Sequence, residues 1–416
     1  MTTAAAPAPG YLAFARANLP FLSAGLLLTF TSSYGQTFFI SLFAAQIMAD
    51  FGLTDGGWGL TYTVATTTSA LAMVWAGALT DRLRIRALGM VALGLLALAC
   101  FGMAVAGSVM ALVGVVFLLR FAGQGLMSHL AAVAMARWYV ATRGKALSIS
   151  AMGFALGQAI LPVIFVGALA FADWRTLWIV AGLLALAVMP VVLRLLRAER
   201  TPQSVAKETE SEGLGGRHWT RAEVLRNPLF WALVPLLLGP PAFGTALFFH
   251  QVHLVGQKGW SLVDYAALFP LFTAVSVAVT FGSGALIDRF GAGRLMQVYL
   301  LPFAAAFALI WAADDLAGAA LGLMVFGIGT GAQATVPPAF WAEFFGTRHI
   351  GAIKAMGTAI MVLGTAIGPG LTAVAIDAGY AFPVQMPLIA GYFLFAAALS
   401  AWAIARARTA EAQRLR

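Results

Sequence analysis

The chain is 416 residues long, 61% hydrophobic and only 10% charged, with a mean hydropathy of +0.89. A soluble domain carries roughly 25% charged residues, so a water-soluble globular protein is excluded. The formal charge of +9 reads as membrane topology rather than nucleic-acid affinity, because the basic residues lie between apolar runs.

The opening stretch, MTTAAAPAPGYLAFARANLP, lacks the basic, apolar and cleavage regions of a signal peptide. The first long apolar segment, from about Leu19, is therefore expected to be retained. Only helices or closed barrels satisfy their backbone polar groups in lipid. The apolar runs are long and rich in Leu, Ala, Val and Gly rather than ~10-residue alternating segments, which selects helices. Taken in order, the first six spans are 19–48, 56–79, 87–107, 109–136, 147–171 and 174–194. The second six are 227–254, 262–286, 295–313, 316–342, 353–376 and 383–405. The expected fold is an all-α polytopic membrane protein of twelve transmembrane helices in two six-helix pseudo-repeats.

With the N-terminus inside, 22 of the 25 basic residues fall on the cytoplasmic side; only Arg175 and Lys258 lie outside and Arg120 lies within a span. Both termini are then cytoplasmic, and the location is the bacterial inner (plasma) membrane. One substantial hydrophilic stretch, RAERTPQSVAKETESEGLGGRHWTRAEVLRNP, separates the two sets. It divides the chain into an N-terminal six-helix half (1–194), a linker (195–226) and a C-terminal six-helix half (227–416). Within the linker, TRAE is a helix-start signature in which Thr220 caps and Glu223 reaches back.

A charged turn occurs twice. GALTDRLRIR begins at Gly77 and GALIDRFGAGR at Gly284, an offset of 207 residues. GQAILP at Gly157 and GTAIGP at Gly364 repeat at the same offset. The pattern of Gly77, Leu79, Asp81, Arg82 and Arg86, with its second copy Gly284, Leu286, Asp288, Arg289 and Gly291, resembles the loop signature of the major facilitator superfamily. Arg84 replaces that signature's turn glycine and Ile85 one of its basic residues. The resemblance covers essentially the whole chain and implies two six-helix halves, joined by a linker, that rock around a midplane site. It makes Gly77, Asp81, Arg82, Arg86, Gly284, Asp288 and Arg289 a conformational latch, with the extra arginines setting topology. Gly153, Gly157 and Pro162, with Gly364, Gly368 and Pro369, resemble the family's fifth- and eleventh-helix hinge patterns.

Arg120, in LLRFAGQG, lies near mid-membrane, where an Arg costs roughly 2.5–3.5 kcal/mol on insertion scales. Such a charge faces a cavity or a partner. Arg120, Gln124 and Gly125 also resemble the family's Arg-x-x-Gln/x-Gly pattern on the fourth helix, and helical spacing places Arg120, Gln124 and Ser128 on one face. The alternative is an Arg tied to neighbouring carbonyls that organises packing only. The twelve spans hold no carboxylate near mid-membrane, so the arginine favours an anionic substrate. His250 and His253 lie one helical turn apart and are candidates for carrying a coupled proton; two interfacial histidines reaching water are the plainer reading. Polar stripes offer further cavity lining: Tyr34, Thr37 and Ser41; Tyr62, Thr66 and Ser69; Thr273, Ser276, Thr280 and Ser283; with Gln158 and Gln333. Ser and Thr also serve as interhelical glue.

GIGTG at Gly327 lies in an apolar helix with no preceding strand, and RGKA at Lys145 lacks a phosphate-loop context. There is no HExxH or GxSxG motif, and the lone Cys100 builds neither a disulfide framework nor a thiolate metal site. No enzyme activity, cofactor, metal site or nucleic-acid partner is expected. The reading is a secondary active transporter, proton-coupled, carrying a small organic anion through a lipid membrane as a monomer. RWYVATRGKALSIS and WTRAEVLRNPLFW resemble the bacterial monocarboxylate and oxalate/formate branch, whose basic residues in the eighth helix are absent here. Alternatives are an exporter of amphipathic compounds or drugs, uptake of another solute such as a vitamin or metal, or a non-transporting membrane sensor.

Overall fold

The computed structural model describes residues 11–76, 79, 83–139, 143–197, 213–346 and 348–414. Among the described residues, ten helices are long and apolar enough to cross a membrane, and they coincide with the third to twelfth expected spans. The main helices are α1 (Leu19–Thr31), α2 (Asp55–Ala76), α3 (Ile85–Val105), α4 (Val109–Leu119), α5 (Arg143–Ala168) and α6 (Trp174–Leu195). They continue as α7 (Pro228–Phe249), α8 (Phe269–Phe290), α9 (Leu301–Ala312), α10 (Leu316–Gln333), α11 (Ile350–Asp377) and α12 (Phe382–Arg414). Several begin on local caps. Ser108, Asp173, Asn227 and Asp315 each accept a backbone N–H from the first turn of α4, α6, α7 and α10, satisfying a donor that the helix itself leaves open.

The first expected span departs from a continuous helix. It runs as α1, a 3₁₀ turn at Ser32–Gly35, a short helix at Thr37–Ile40, a second 3₁₀ turn at Ser41–Phe43 and a helix at Ala44–Phe51. Gln36 is extended, at φ −89° and ψ 152°. Hydroxyls compete for backbone partners and Gly disfavours helix, which fits the break at Ser-Ser-Tyr-Gly. The segment Thr37–Phe51 then turns by 115° into α2.

The two sets of spans repeat one packing scheme. α1 packs on α5, α2 on α4 and α3 on α6; correspondingly α7 packs on α11, α8 on α10 and α9 on α12. The sets meet along two seams, α2 against α11 and α5 against α8. Lipid offers no hydrophobic drive for helix association, so close packing of small residues carries it. A Cβ on Gly153 or Gly157 would overlap the Leu26 carbonyl or the Ser33 hydroxyl. On the other side, one on Gly364 would come 2.9 Å from the Leu238 carbonyl, and one on Gly368 would overlap Ala242. Packing therefore pairs Gly153 with Gly364 and Gly157 with Gly368. The motif repeat at 207 residues had aligned Gly157 with Gly364, one helical turn away.

Between the sets, the expected helix within the linker is present as Arg221–Arg226, with a complete capping box between Thr220 and Glu223. The preceding turn is bound to the second set: Leu214 N–H donates to the Phe344 carbonyl at 2.9 Å and Trp219 N–H to that of Phe345 at 3.0 Å.

Candidate functional site

Arg120 opens a π-helical stretch, Arg120–Met127, that joins α4 to the helix Ser128–Trp138. π-bulges insert an extra residue per turn and concentrate at functional sites. Gly123 lies in this stretch and faces Gly35, so closely that a Cβ on Gly123 would come 2.7 Å from the Gly35 Cα. Two glycines thus bring the π-turn against the broken first span. The break is what Arg120 reads. Phe39 N–H bonds the Gln36 carbonyl instead of that of Gly35, and Arg120 Nη1 donates to the Gly35 carbonyl at 3.0 Å.

The guanidinium is 1% exposed and its carbon lies 5.2 Å from the Tyr62 ring centroid. Tyr62 in turn shares a hydrogen bond with Thr37 and packs on Phe249 at 4.7 Å between ring centroids. Nε and Nη2 of Arg120 have no hydrogen-bond partner, and no carboxylate among the described residues pairs with it. An uncompensated buried cation is among the costliest arrangements in a protein. One carbonyl and one aromatic face do not satisfy it, and two of its nitrogens keep unsatisfied N–H groups.

Other expected lining residues divide between this centre and structural roles. Thr37 and Tyr62 join Arg120 directly. Thr66 and Thr273 are buried with unpartnered hydroxyls. Gln158 is buried, Gln124 and Gln333 are half-buried, and none of these amides bonds a described residue. Tyr34 does not share a face with Thr37: because the span is broken, its ring packs on Phe39 and Phe165. Ser276 contributes its carbonyl to Thr280, whose hydroxyl also reaches Gly331, and Ser283 bonds Thr335 at 2.7 Å. This stripe is therefore largely glue between α8 and α10. Two cavities, of about 900 and 800 Å³, lie elsewhere, one beside the linker and one between α7, α11 and α12.

The histidines sit where the two sets meet. His250 is 2% exposed, and its Nε2 lies 2.8 Å from Thr372 Oγ1 and 3.3 Å from the Pro369 carbonyl. The Thr372 hydroxyl is itself directed at the carbonyls of Gly368 and Pro369, so Nε2 is assigned as the donor to Oγ1. His253 Nδ1 lies 3.5 Å from Asp55 at the start of α2, and the two imidazoles are 6.5 Å apart. Asp55 was absent from the sequence-derived site, although it sits in a helix-start context and is the acid nearest the histidine pair.

Around this pair the end of the bundle remote from the chain termini is sealed. Ser41 donates to the Phe248 carbonyl at 2.6 Å, and Gln251 donates to Ser41 Oγ at 2.8 Å and to the Phe38 carbonyl at 3.1 Å. Thr63 donates to the Ala366 carbonyl at 2.9 Å, while Thr54 and Gly56 N–H both donate to the Asp377 carboxylate. Trp58 stacks on Phe249 with 5.6 Å between centroids.

The latch residues Gly77, Asp81 and Arg82 lie outside the described residues, as does the side chain of Asp288. Arg86 is half-buried in α3, and Arg289 lies over the Phe290 ring. No described residue lies within 4 Å of where a Cβ on Gly284 would stand. The acid that fixes the corresponding turn is Glu343. It accepts the Ala292 N–H at 2.6 Å, at the start of the helix Ala292–Val298, and pairs with Arg408 at 2.9 Å. A carboxylate is favoured there because first-turn N–H groups lack helical partners.

A protein from Thermoproteus tenax described as an uncharacterized 38 kDa protein in a 23S RNA operon is 27% identical over 391 residues, which cover 93% of this chain and 95% of that one. Among solved structures, a bacterial homologue of the human lysosomal transporter Spinster, in an inward-facing and unoccupied conformation, superimposes with a TM-score of 0.70 at 17% identity. The match covers 98% of this chain and 99% of that one. The nucleoside transporter NupG superimposes with a TM-score of 0.66 at 12% identity, covering 94% and 99%. The family description Major Facilitator Superfamily matches residues 25–369. With its helical packing repeated in two sets around paired seams, the chain belongs to the Major Facilitator Superfamily, a family of transporters rather than enzymes.

Proposed function

We propose that the protein is a secondary active transporter that carries a small organic anion and couples its movement to protons. One observation carries the substrate class: Arg120 is buried, has no carboxylate partner, and keeps two unsatisfied N–H donors beside Tyr62 and Thr37. A carboxylate would complete both the charge and the hydrogen bonds. Buried intramembrane cations mark substrate or ion pathways, and a substrate that brought its own positive charge would be repelled.

In this reading residues 1–194 and 227–416 are two halves that rock about the linker 195–226, with both termini in the cytoplasm and the protein working as a monomer in the cell membrane. The sealed end is then the outer gate and the conformation faces inward. Gly153, Gly157 and Pro162, with Gly364, Gly368 and Pro369, let α5 and α11 slide and bend against α1 and α7. His250 and His253 carry the coupled proton. They join Asp55 of one half to Pro369 and Thr372 of the other, so a change in their charge alters the gate as well as the proton inventory.

Uptake by proteoliposomes across a panel of small carboxylates, with an imposed pH gradient in either direction, tests the reading. The expected result is uptake of at least one carboxylate driven by the gradient. His250→Gln and His253→Gln should retain substrate exchange at equal pH while losing gradient-driven accumulation. Uptake restricted to cationic or neutral amphipathic compounds contradicts the anion assignment, and uptake indifferent to pH contradicts the coupling.

A further inference from the structure

The cavity of about 900 Å³ at the terminus-bearing end is bounded by the linker turn, the start of α7 and the last turns of α12. Arg217, Arg226 and Arg406 line it together with Trp219 and Trp402. Its wall along α7 and α12 is small and apolar, formed by residues such as Leu229 and Ala407. Among the described residues of the lining, Glu223 is the single acid. It is already engaged, with Arg217 at 3.4 Å and with the N–H and hydroxyl of Thr220 at 2.7 and 2.8 Å. Those bonds hold its carboxyl below the usual range, so it stays ionised at neutral pH and offsets one of the three arginines.

Position in the membrane follows from helix length. Trp402 lies twenty residues beyond Phe382, the first residue of α12; at 1.5 Å per residue that is about 30 Å, the thickness of the hydrocarbon core. Trp402 is 57% exposed and carries the Arg406 guanidinium over its ring at 5.4 Å. Arg217 lies over Trp219 at 4.0 Å. Tryptophans belong at the interface between acyl chains and headgroups, and Arg226, two residues before the start of α7, lines the same cavity as Trp402. Arg226 hydrogen-bonds no described residue.

We infer that this cavity is a binding site for an anionic phospholipid, with Arg226 and Arg406 taking the phosphate and the α7–α12 wall taking the upper acyl chain. The surplus of two positive charges above an apolar wall matches a phosphodiester on a diacyl chain. A zwitterionic lipid carries a compensating ammonium that the arginines repel. Because the linker forms one wall, an occupied site ties the linker turn to α7 and α12. The inference is independent of the transported substrate.

Native mass spectrometry of the full-length protein, with phosphatidylglycerol and phosphatidylcholine as competing probes, tests it. The expected result is retention of phosphatidylglycerol over phosphatidylcholine, with the preference falling about thirtyfold when Arg226 and Arg406 are both replaced by Gln, since each basic group near an anionic surface contributes about 1 kcal/mol. Arg194→Gln, an exposed arginine outside the cavity, should leave the preference unchanged. A photoactivatable phosphatidylglycerol should label the wild-type protein within residues 217–232 or 402–410, which keeps the test valid if the double variant folds poorly. Equal retention of the two lipids, or labelling elsewhere, overturns the inference. Displacement of the lipid by millimolar inorganic phosphate would also overturn it, by making the cavity a small-anion site.

Discussion

The fourth and tenth spans hold equivalent places in the two sets of helices, each packed on the second span of its own set, yet their centres are chemically opposite. In the fourth, a π-turn places Arg120 against the exposed carbonyl of a broken helix, with Tyr62 and Thr37 beside it. In the tenth, Phe326 sits among Phe248, Phe272, Phe303 and Phe307, with ring centroids 5.1 to 6.1 Å apart. The repeat supplies a symmetric frame, and the polar chemistry is concentrated on one side of it. In the proposed reading, stability and substrate recognition are thereby separated. The aromatic centre gains from dispersion and close packing, whereas the Arg120 centre holds a charge whose burial costs stability.

Truncating the aromatic centre should give the largest loss of stability. Phe326→Ala is expected to cost about 3–5 kcal/mol, read as a lower midpoint of thermal unfolding in detergent, while the protein that remains folded keeps its substrate affinity. A matching loss of affinity would break the division between the two centres.

A smaller effect is expected at the seam that joins the sets. Asp377→Ala removes the acceptor shared by Thr54 and Gly56 and should raise the population open at that end by about fivefold, roughly 1 kcal/mol. Spin labels on Ala49→Cys and Gln257→Cys, both at exposed positions on opposite sides of the seam, report the distance directly. The single native cysteine, Cys100, is buried and does not compete for label. An unchanged distance distribution would assign Asp377 to local helix capping alone. The smallest effect belongs to the polar glue of the second set: Ser283→Ala should lower stability by about 0.6 kcal/mol, the average for an interhelical hydrogen bond in a membrane, without altering uptake.

The third to twelfth spans were legible in the sequence because uninterrupted apolar length is the dominant constraint in a bilayer. The Thr220–Glu223 capping box was legible for the same kind of reason, since its signal is local. The break at Ser32–Gly35 and the π-turn at Arg120 were not, because both depend on Gly35 and Gly123 meeting across 88 residues of chain. Hydropathy identified Arg120 as a buried charge but carried no information about the carbonyl that it finds. Pairings such as Asp55 with His253 and Thr54 with Asp377 join residues about 200 and 320 positions apart in the sequence, where no spacing rule operates. The role of Glu343 needed the turn at Ala292 to be seen beside it.

The central claim is that Arg120 meets the substrate's negative charge, and equilibrium binding to Arg120→Met tests it most directly. Methionine fills similar volume and removes the buried charge, a replacement that is often neutral or stabilising, so folding is not the obstacle. Calorimetric titration with a carboxylate that the wild-type protein transports should show binding weakened by about 2–5 kcal/mol, with the unfolding midpoint held or raised. Unchanged affinity in a folded Arg120→Met protein would contradict the account and leave Arg120 as a clamp on the broken first span.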